Sequence, residues 1–139
     1  MRFGIGQPVT RKEDPRFLTG RGRYVADIDL VRQAHAVFVF SPHGHALIRG
    51  IDKAAAERMP GVFAVLTGED WAADGLGTLD PEVMAEDMGG PAGFRTKRPP
   101  LAQGRVRYVG ERVAVVIAAT EAEARDAAEL VSVDYEALP

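Results

Sequence analysis

His43 and His45, two residues apart in the segment SPHGHALI, are the first residues whose type and spacing suggest chemistry. On an extended backbone, residues i and i+2 share a face, so the two imidazoles could reach one metal ion. A catalytic zinc takes three protein ligands, and neither a cysteine nor a third histidine at set spacing completes the group. His35 falls on another part of the chain. Histidines hydrogen-bonded at a turn are the simpler reading. A second candidate is acidic: Glu69, Asp70, Asp74, Asp80, Glu82, Glu86 and Asp87 precede the basic Arg95, Lys97 and Arg98. Their spacing lacks the regular odd-position pattern of a calcium loop. Ser41 and Ser132 are the only serines, and neither sits in a strand–turn–helix elbow. Gly20-Arg21-Gly22 has no helix after it to offer free N–H groups to a phosphate. The chain has no cysteine, which removes disulfides, thiolate zinc sites, a cysteine nucleophile and a cysteine-held iron–sulfur cluster within it. No catalytic, cofactor-binding or metal-binding residue is assigned.

The elements that would position any such group are clearest in the last third. Residues 112–119 are an apolar run with Val113, Val115 and Ile117 on one side and Ala114, Val116 and Ala118 on the other. Both sets are apolar, which predicts an interior strand covered on both faces. Thr120-x-x-Glu123 has the spacing of a capping box and opens a helix. Ala124, Ala127, Ala128 and Val131 then form a narrow stripe that lets the helix lie close on a sheet. Val131, Val133 and Tyr135 alternate with Ser132 and Asp134, a strand with one buried face.

Earlier in the chain, residues 33–40 (QAHAVFVF) read as a strand ended by Ser41-Pro42. Residues 45–51 suggest another, after which Asp52 caps a short helix over 53–59 with Ala55, Ala56 and Met59 toward the core. Pro60-Gly61 ends that helix, and residues 62–66 return as a strand. Residues 45–66 thus echo the strand–helix–strand pattern of the tail. Residues 69–104 are Gly- and Pro-rich and predict a long variable loop, with helical character near 82–88, that is solvated or covered by a partner. Residues 1–22 predict an extended arm held by Val9, Phe17 and Leu18, leading into a strand at Tyr24 and Val25. Ordering such an arm costs on the order of 1–2 kcal/mol per residue, more than its few apolar side chains offset alone. The division expected is therefore an arm, 1–22, and a single domain, 23–139.

A chain of 139 residues suits one domain with a real core. Its net charge of −3 argues against nucleic acid as a partner. Its longest apolar run is far short of the roughly 18 residues that cross a membrane. The start, MRFGIGQPVTRKED, lacks the apolar core of a secretory signal, so a cytosolic (cytoplasmic) protein is expected.

Five blocks in order, PVTRKEDPRFLTGRGRYVADI, SPHGHALIRGID, PGVFAVLTGED, PLAQGRVRYVGERVAVVIAAT and AAELVSVDYEALP, resemble one family. They are similar to the N-terminal domain of the molybdopterin-binding large subunit of molybdenum hydroxylases: xanthine dehydrogenase, aldehyde oxidase and aerobic carbon monoxide dehydrogenase. The resemblance implies an α+β fold, the α/β-hammerhead, with a mixed sheet and two short strand–helix–strand units. It implies a molybdopterin cofactor for the complete enzyme but none in this chain, because the family's cofactor-contacting residues lie further along the subunit. The implied role is structural, in assembly of the large subunit. The implied partners are the remainder of that subunit and an iron–sulfur subunit or domain, with a homo-oligomer as the form of the isolated chain. A free-standing binding module that kept the fold without a redox role is the alternative. The expected interface comprises Phe17 and Leu18 of the arm and the turn at Gly110, Glu111 and Arg112. Three departures from the family pattern stand out: Phe40 where an arginine is frequent, Arg112 where a proline is frequent, and Val31-Arg32 in place of a Pro-Gly turn.

Overall fold

The computed structural model describes residues 6, 8, 10–79 and 85–139. Val9, expected to anchor the arm, and Asp80 and Glu82 of the acidic run lie outside the described residues. Contacts divide the chain into two compact units, residues 1–33 and 34–139.

The first unit is not without regular structure. Helix α1 spans Asp14–Leu18. Pro15 in its first turn is pre-set for a helix start, and Asp14 places negative charge where the helix dipole favours it. The strand expected at Tyr24 and Val25 is instead a 3-10 turn over Val25–Asp27, because the Asp27 carboxylate takes the Tyr24 N–H at 2.8 Å and curls the chain. A tight turn follows, closed by the Gln33 N–H donating to the Leu30 carbonyl at 3.1 Å. Arg32 is the turn's third residue and has φ +62°. A type II turn requires that left-handed backbone, which glycine adopts without strain.

The second unit holds two three-stranded sheets, and all of their pairings are antiparallel. The α+β class stands; the mixed sheet that the resemblance implied is, among the described residues, two antiparallel sheets. The first sheet has the order β1 (His35–Phe40), β5 (Arg112–Ala118), β3 (Val62–Thr67). The second has the order β4 (Arg105–Val106), β2 (Ala46–Asp52), β6 (Ser132–Ala137). Helix α2 (Ala54–Glu57) links β2 to β3, and α4 (Glu121–Glu129) links β5 to β6. Each strand–helix–strand segment thus passes from one sheet to the other. Neither closes a parallel pair, which is why the sheets are purely antiparallel.

The α2 helix is shorter than expected, and of its anticipated core residues Ala56 is buried, Met59 partly so and Ala55 exposed. Asp52 does act at its start, taking the Ala54 N–H at 3.0 Å. The α4 capping box forms as its spacing predicts: Thr120 Oγ1 accepts the Glu123 N–H at 3.2 Å, and the Glu123 carboxylate accepts the Thr120 N–H at 3.0 Å. Gly61 lies under that carboxylate, where a Cβ would stand 2.3 Å from it, and has φ +80°. The long loop begins later than expected. Thr67 and Asp70 form a second capping box and open α3 (Gly68–Ala73), while Leu101 and Ala102 at the loop's far end are buried. A 3-10 turn at Ala85–Met88 matches the helical character expected there.

Two small cores result. Val65, Val116, Ala56 and Ala127 pack the helices onto one face of the first sheet. Ala46, Ala102, Val106 and Val113 join the second sheet to the start of β5. A β-bulge allows this. Val39 pairs with Ala114 and Phe40 with Arg112, so Val113 is the extra residue and turns into the second core.

Candidate functional site

The residues expected at an interface are distributed over both units. In the first, the Phe17 ring stacks on Tyr24 at 5.6 Å, with the Arg16 guanidinium 4.9 Å from its centre. Leu18 is 86% exposed. In the second, Gly110 and Arg112 are exposed, but Glu111 is buried. Its carboxylate turns inward and accepts the Arg107 N–H, while its carbonyl accepts the Ser41 N–H at 2.8 Å. Glu111 holds the turn, and Gly110 and Arg112 are what the turn presents.

Arg112 leads to a surface that the sequence reading did not assign. The bulge at Val113 places Arg112 beside Phe38, its guanidinium 4.9 Å from the ring centre. Phe38 pairs in register with Val115, which pairs with Leu66. Directly opposite residues of an antiparallel pair project to the same face, so these three form one apolar row across the sheet. Ala36, Ile117 and Ala64 form the next row. Phe40 closes the strip, its ring 6.3 Å from that of Phe38.

This face lies opposite α2 and α4 and is open. Phe38 is 38% exposed, Leu66 40% and Phe40 54%, whereas Val65 and Val116 on the helix side are at most 2% exposed. β5 was expected to be covered on both faces, and the described residues cover only one fully. At one end the face deepens into an apolar cavity of about 260 Å³ against Phe38, Leu66, Trp71, Leu76, Pro100 and Leu101. Trp71 is fixed there by its indole N–H, which donates to the Gly77 carbonyl at 2.9 Å. The signal that could have revealed this face was the two-sided apolar character of β5 together with Phe38, Phe40 and Leu66 on neighbouring strands.

Lys53, Glu57 and Asp70 are engaged structurally. Lys53 Nζ donates to the Val65 carbonyl at 2.8 Å and to Asp70 Oδ2 at 3.1 Å, with Glu57 at 3.4 Å. The same Asp70 oxygen accepts the Thr67 N–H at 2.7 Å and the Thr67 hydroxyl at 2.8 Å. The Thr67 N–H leads the effects that hold the Asp70 carboxyl below its ordinary range, outweighing its partial burial, with Lys53 adding to them. Burial works against the Lys53 ammonium, but Asp70 and Glu57 together raise its pKa above the usual value. These groups tie α2, β3 and α3 together.

His43 and His45 lie in the turn before β2. His45 Nδ1 lies 2.9 Å from the Pro139 carbonyl oxygen, and the His43 ring packs 4.8 Å from that of Tyr135. Burial raises the Tyr135 phenol pKa; Ser41 opposes that shift, yet no group meets hydrogen-bond geometry with the phenol oxygen. Among the described residues no three His, Cys, Asp or Glu side chains gather as a metal site, and no helix is long and apolar enough to cross a membrane.

Residues 19–139 match the family described as "Aldehyde oxidase and xanthine dehydrogenase, a/b hammerhead domain". The chain is 45% identical over 134 residues to the nicotine 6-hydroxylase large subunit of Paenarthrobacter nicotinovorans, covering 96% of this chain and 16% of that protein. It is 40% identical over 136 residues to the carbon monoxide dehydrogenase large chain of Afipia carboxidovorans, covering 98% and 16%. The crystal structure of quinoline 2-oxidoreductase from Pseudomonas putida 86 superposes with a TM-score of 0.79 at 45% identity, over 97% of this chain and 16% of that one. The chain therefore spans about one sixth of the length of these relatives.

Proposed function

Because the chain belongs to the aldehyde oxidase and xanthine dehydrogenase α/β hammerhead family, we propose that it serves as the hammerhead domain in the large subunit of a molybdenum-dependent oxidoreductase. Its part is assembly: it folds as a piece of the subunit and presents a surface that the rest of the subunit covers. The observation that carries this reading is the open face of Phe38, Leu66 and Val115, apolar on a sheet whose other face is packed by helices. Relatives named as large subunits and large chains support it, as does their sixfold greater length. The partners proposed are the remainder of the large subunit and an iron–sulfur component, in a cytosolic setting.

No residue of this chain is assigned to a molybdopterin: among the described residues no acid–histidine cluster gathers, and Lys53 and Asp70, which line one cavity, already satisfy one another. No step of a redox reaction is derived through this chain. In the complete enzyme the cofactor would be held by the segments beyond it.

Co-expression with the rest of a large subunit, followed by size-exclusion chromatography with light scattering, tests the proposal. A stable complex of one copy of each is the expected result. A chain that stays apart from that partner, as a monomer or a homo-oligomer, would favour the free-standing binding module.

A further inference from the structure

Resting on that reading, we infer that the open face of the first sheet is the specific seat of an apolar segment from the remainder of the large subunit. We further infer that this segment carries a carboxylate placed against Arg112. The face has two chemically distinct parts, one on each side of Phe38's ring contacts. At one, Phe38, Leu66, Trp71 and Leu101 enclose the cavity of about 260 Å³, which has room for an aromatic or branched aliphatic side chain. At the other, the Arg112 guanidinium lies over the Phe38 ring with no acidic partner among the described residues. An arginine held on an aromatic ring in this way keeps its N–H fork free for a bidentate carboxylate.

The occupant follows from the length of chain beyond this domain. In the relatives about five sixths of the subunit lies outside the matched region, so a covering segment is available within the same polypeptide. β5 points the same way. Val115 and Ile117 are apolar residues on a central strand and are left only half-buried by the described residues. Apolar strips of this kind on central strands are ordinarily covered.

The test uses the 139-residue chain co-expressed with the rest of the nicotine 6-hydroxylase large subunit, the relative matched at 45% identity. Carbene footprinting read by mass spectrometry compares the chain alone with the complex. Trp71, the only tryptophan, and Phe38 and Leu66 should lose at least half of their labelling on complex formation. Phe38→Ser with Leu66→Ser should weaken the complex tenfold or more, and Arg112→Glu should weaken it with a reduced salt dependence. Leu130→Ser, exposed at the end of α4 on the side of the sheet that the helices pack, should leave it unchanged, and circular dichroism of each variant verifies folding.

A complex that forms while this face stays labelled, or that ignores the variants, overturns the seat and leaves the domain reading intact. Protection already present in the chain alone, from a second copy or from residues 1–33, also overturns it. Failure of the wild-type chain to form any complex overturns the domain reading itself, and the seat with it.

Discussion

Phe40 of β1 and Arg112 of β5 are register partners across an antiparallel ladder. The ladder puts both at the rim of the open face, where the Arg112 guanidinium lies 4.9 Å from the centre of the Phe38 ring. Arg112 and Phe38 should therefore be coupled. A double-mutant cycle of Arg112→Ala and Phe38→Leu is expected to give an interaction of about 0.5–1 kcal/mol in urea unfolding, the range for an exposed cation–π pair. A coupling of zero would mean that the contact is incidental.

Arg32 at φ +62° predicts a gain from substitution. Arg32→Gly removes the strain of a left-handed backbone at a side-chain-bearing residue, about 1 kcal/mol. The effect is local, so the reporter is hydrogen exchange of the Gln33 amide, which donates to the Leu30 carbonyl. Exchange there should slow about fivefold, whereas Arg32→Val should speed it.

Gly68 opens α3 against the backbone of the neighbouring segment. A Cβ at this position would stand 2.2 Å from the Ala102 carbonyl oxygen, and backbone cannot swing aside as a side-chain end can. Gly68→Ala should lower stability by about 1–3 kcal/mol, the cost of forced overpacking. Gly77→Ala, with open space around it, is the control and should change thermal unfolding little.

Stability should depend on pH through the Lys53–Asp70 pair. The Asp70 carboxyl is depressed in the folded state, so its contribution is present above its unfolded value of 3.8 and is lost as pH falls through the lower folded pKa. Lys53 is raised, so its contribution is full below 10.5 and is lost as pH rises through the folded pKa above it. Both side chains are partly exposed, so the effects are modest and shrink with salt. Asp70→Asn keeps an acceptor for Thr67 but removes the charge. Denaturation curves below pH 4 should be flatter for the variant than for the parent.

What the sequence disclosed was local. The Thr120–Glu123 box, the alanine stripe of α4 and the alternation of β6 each depend on neighbours within a few residues, and each formed. The allocation of strands between two sheets was not legible, because nothing in β2 or β6 marks which ladder they join. The bulge at Val113 was likewise hidden, and with it the turning of Arg112 onto the Phe38 face, since simple alternation assigns Arg112 to the opposite side. Thr67-x-x-Asp70 repeats the spacing of the later box and was legible; reading a loop from Glu69 onward obscured it. Glu111 was expected outward with its neighbours, yet an acceptor was needed for the Arg107 N–H, and the carboxylate turned in.

The central claim, that this chain is a working hammerhead domain of a molybdenum-dependent large subunit, is tested most directly by substitution. This chain would replace the matching segment of the Afipia carboxidovorans carbon monoxide dehydrogenase large chain, and the molybdenum content of the purified enzyme would be measured per large chain. The account predicts an assembled complex with molybdenum near that of the parent, and loss of assembly when Phe38 and Leu66 are both changed to serine. A chimera that folds as a soluble large chain but fails to assemble or to retain molybdenum would contradict it.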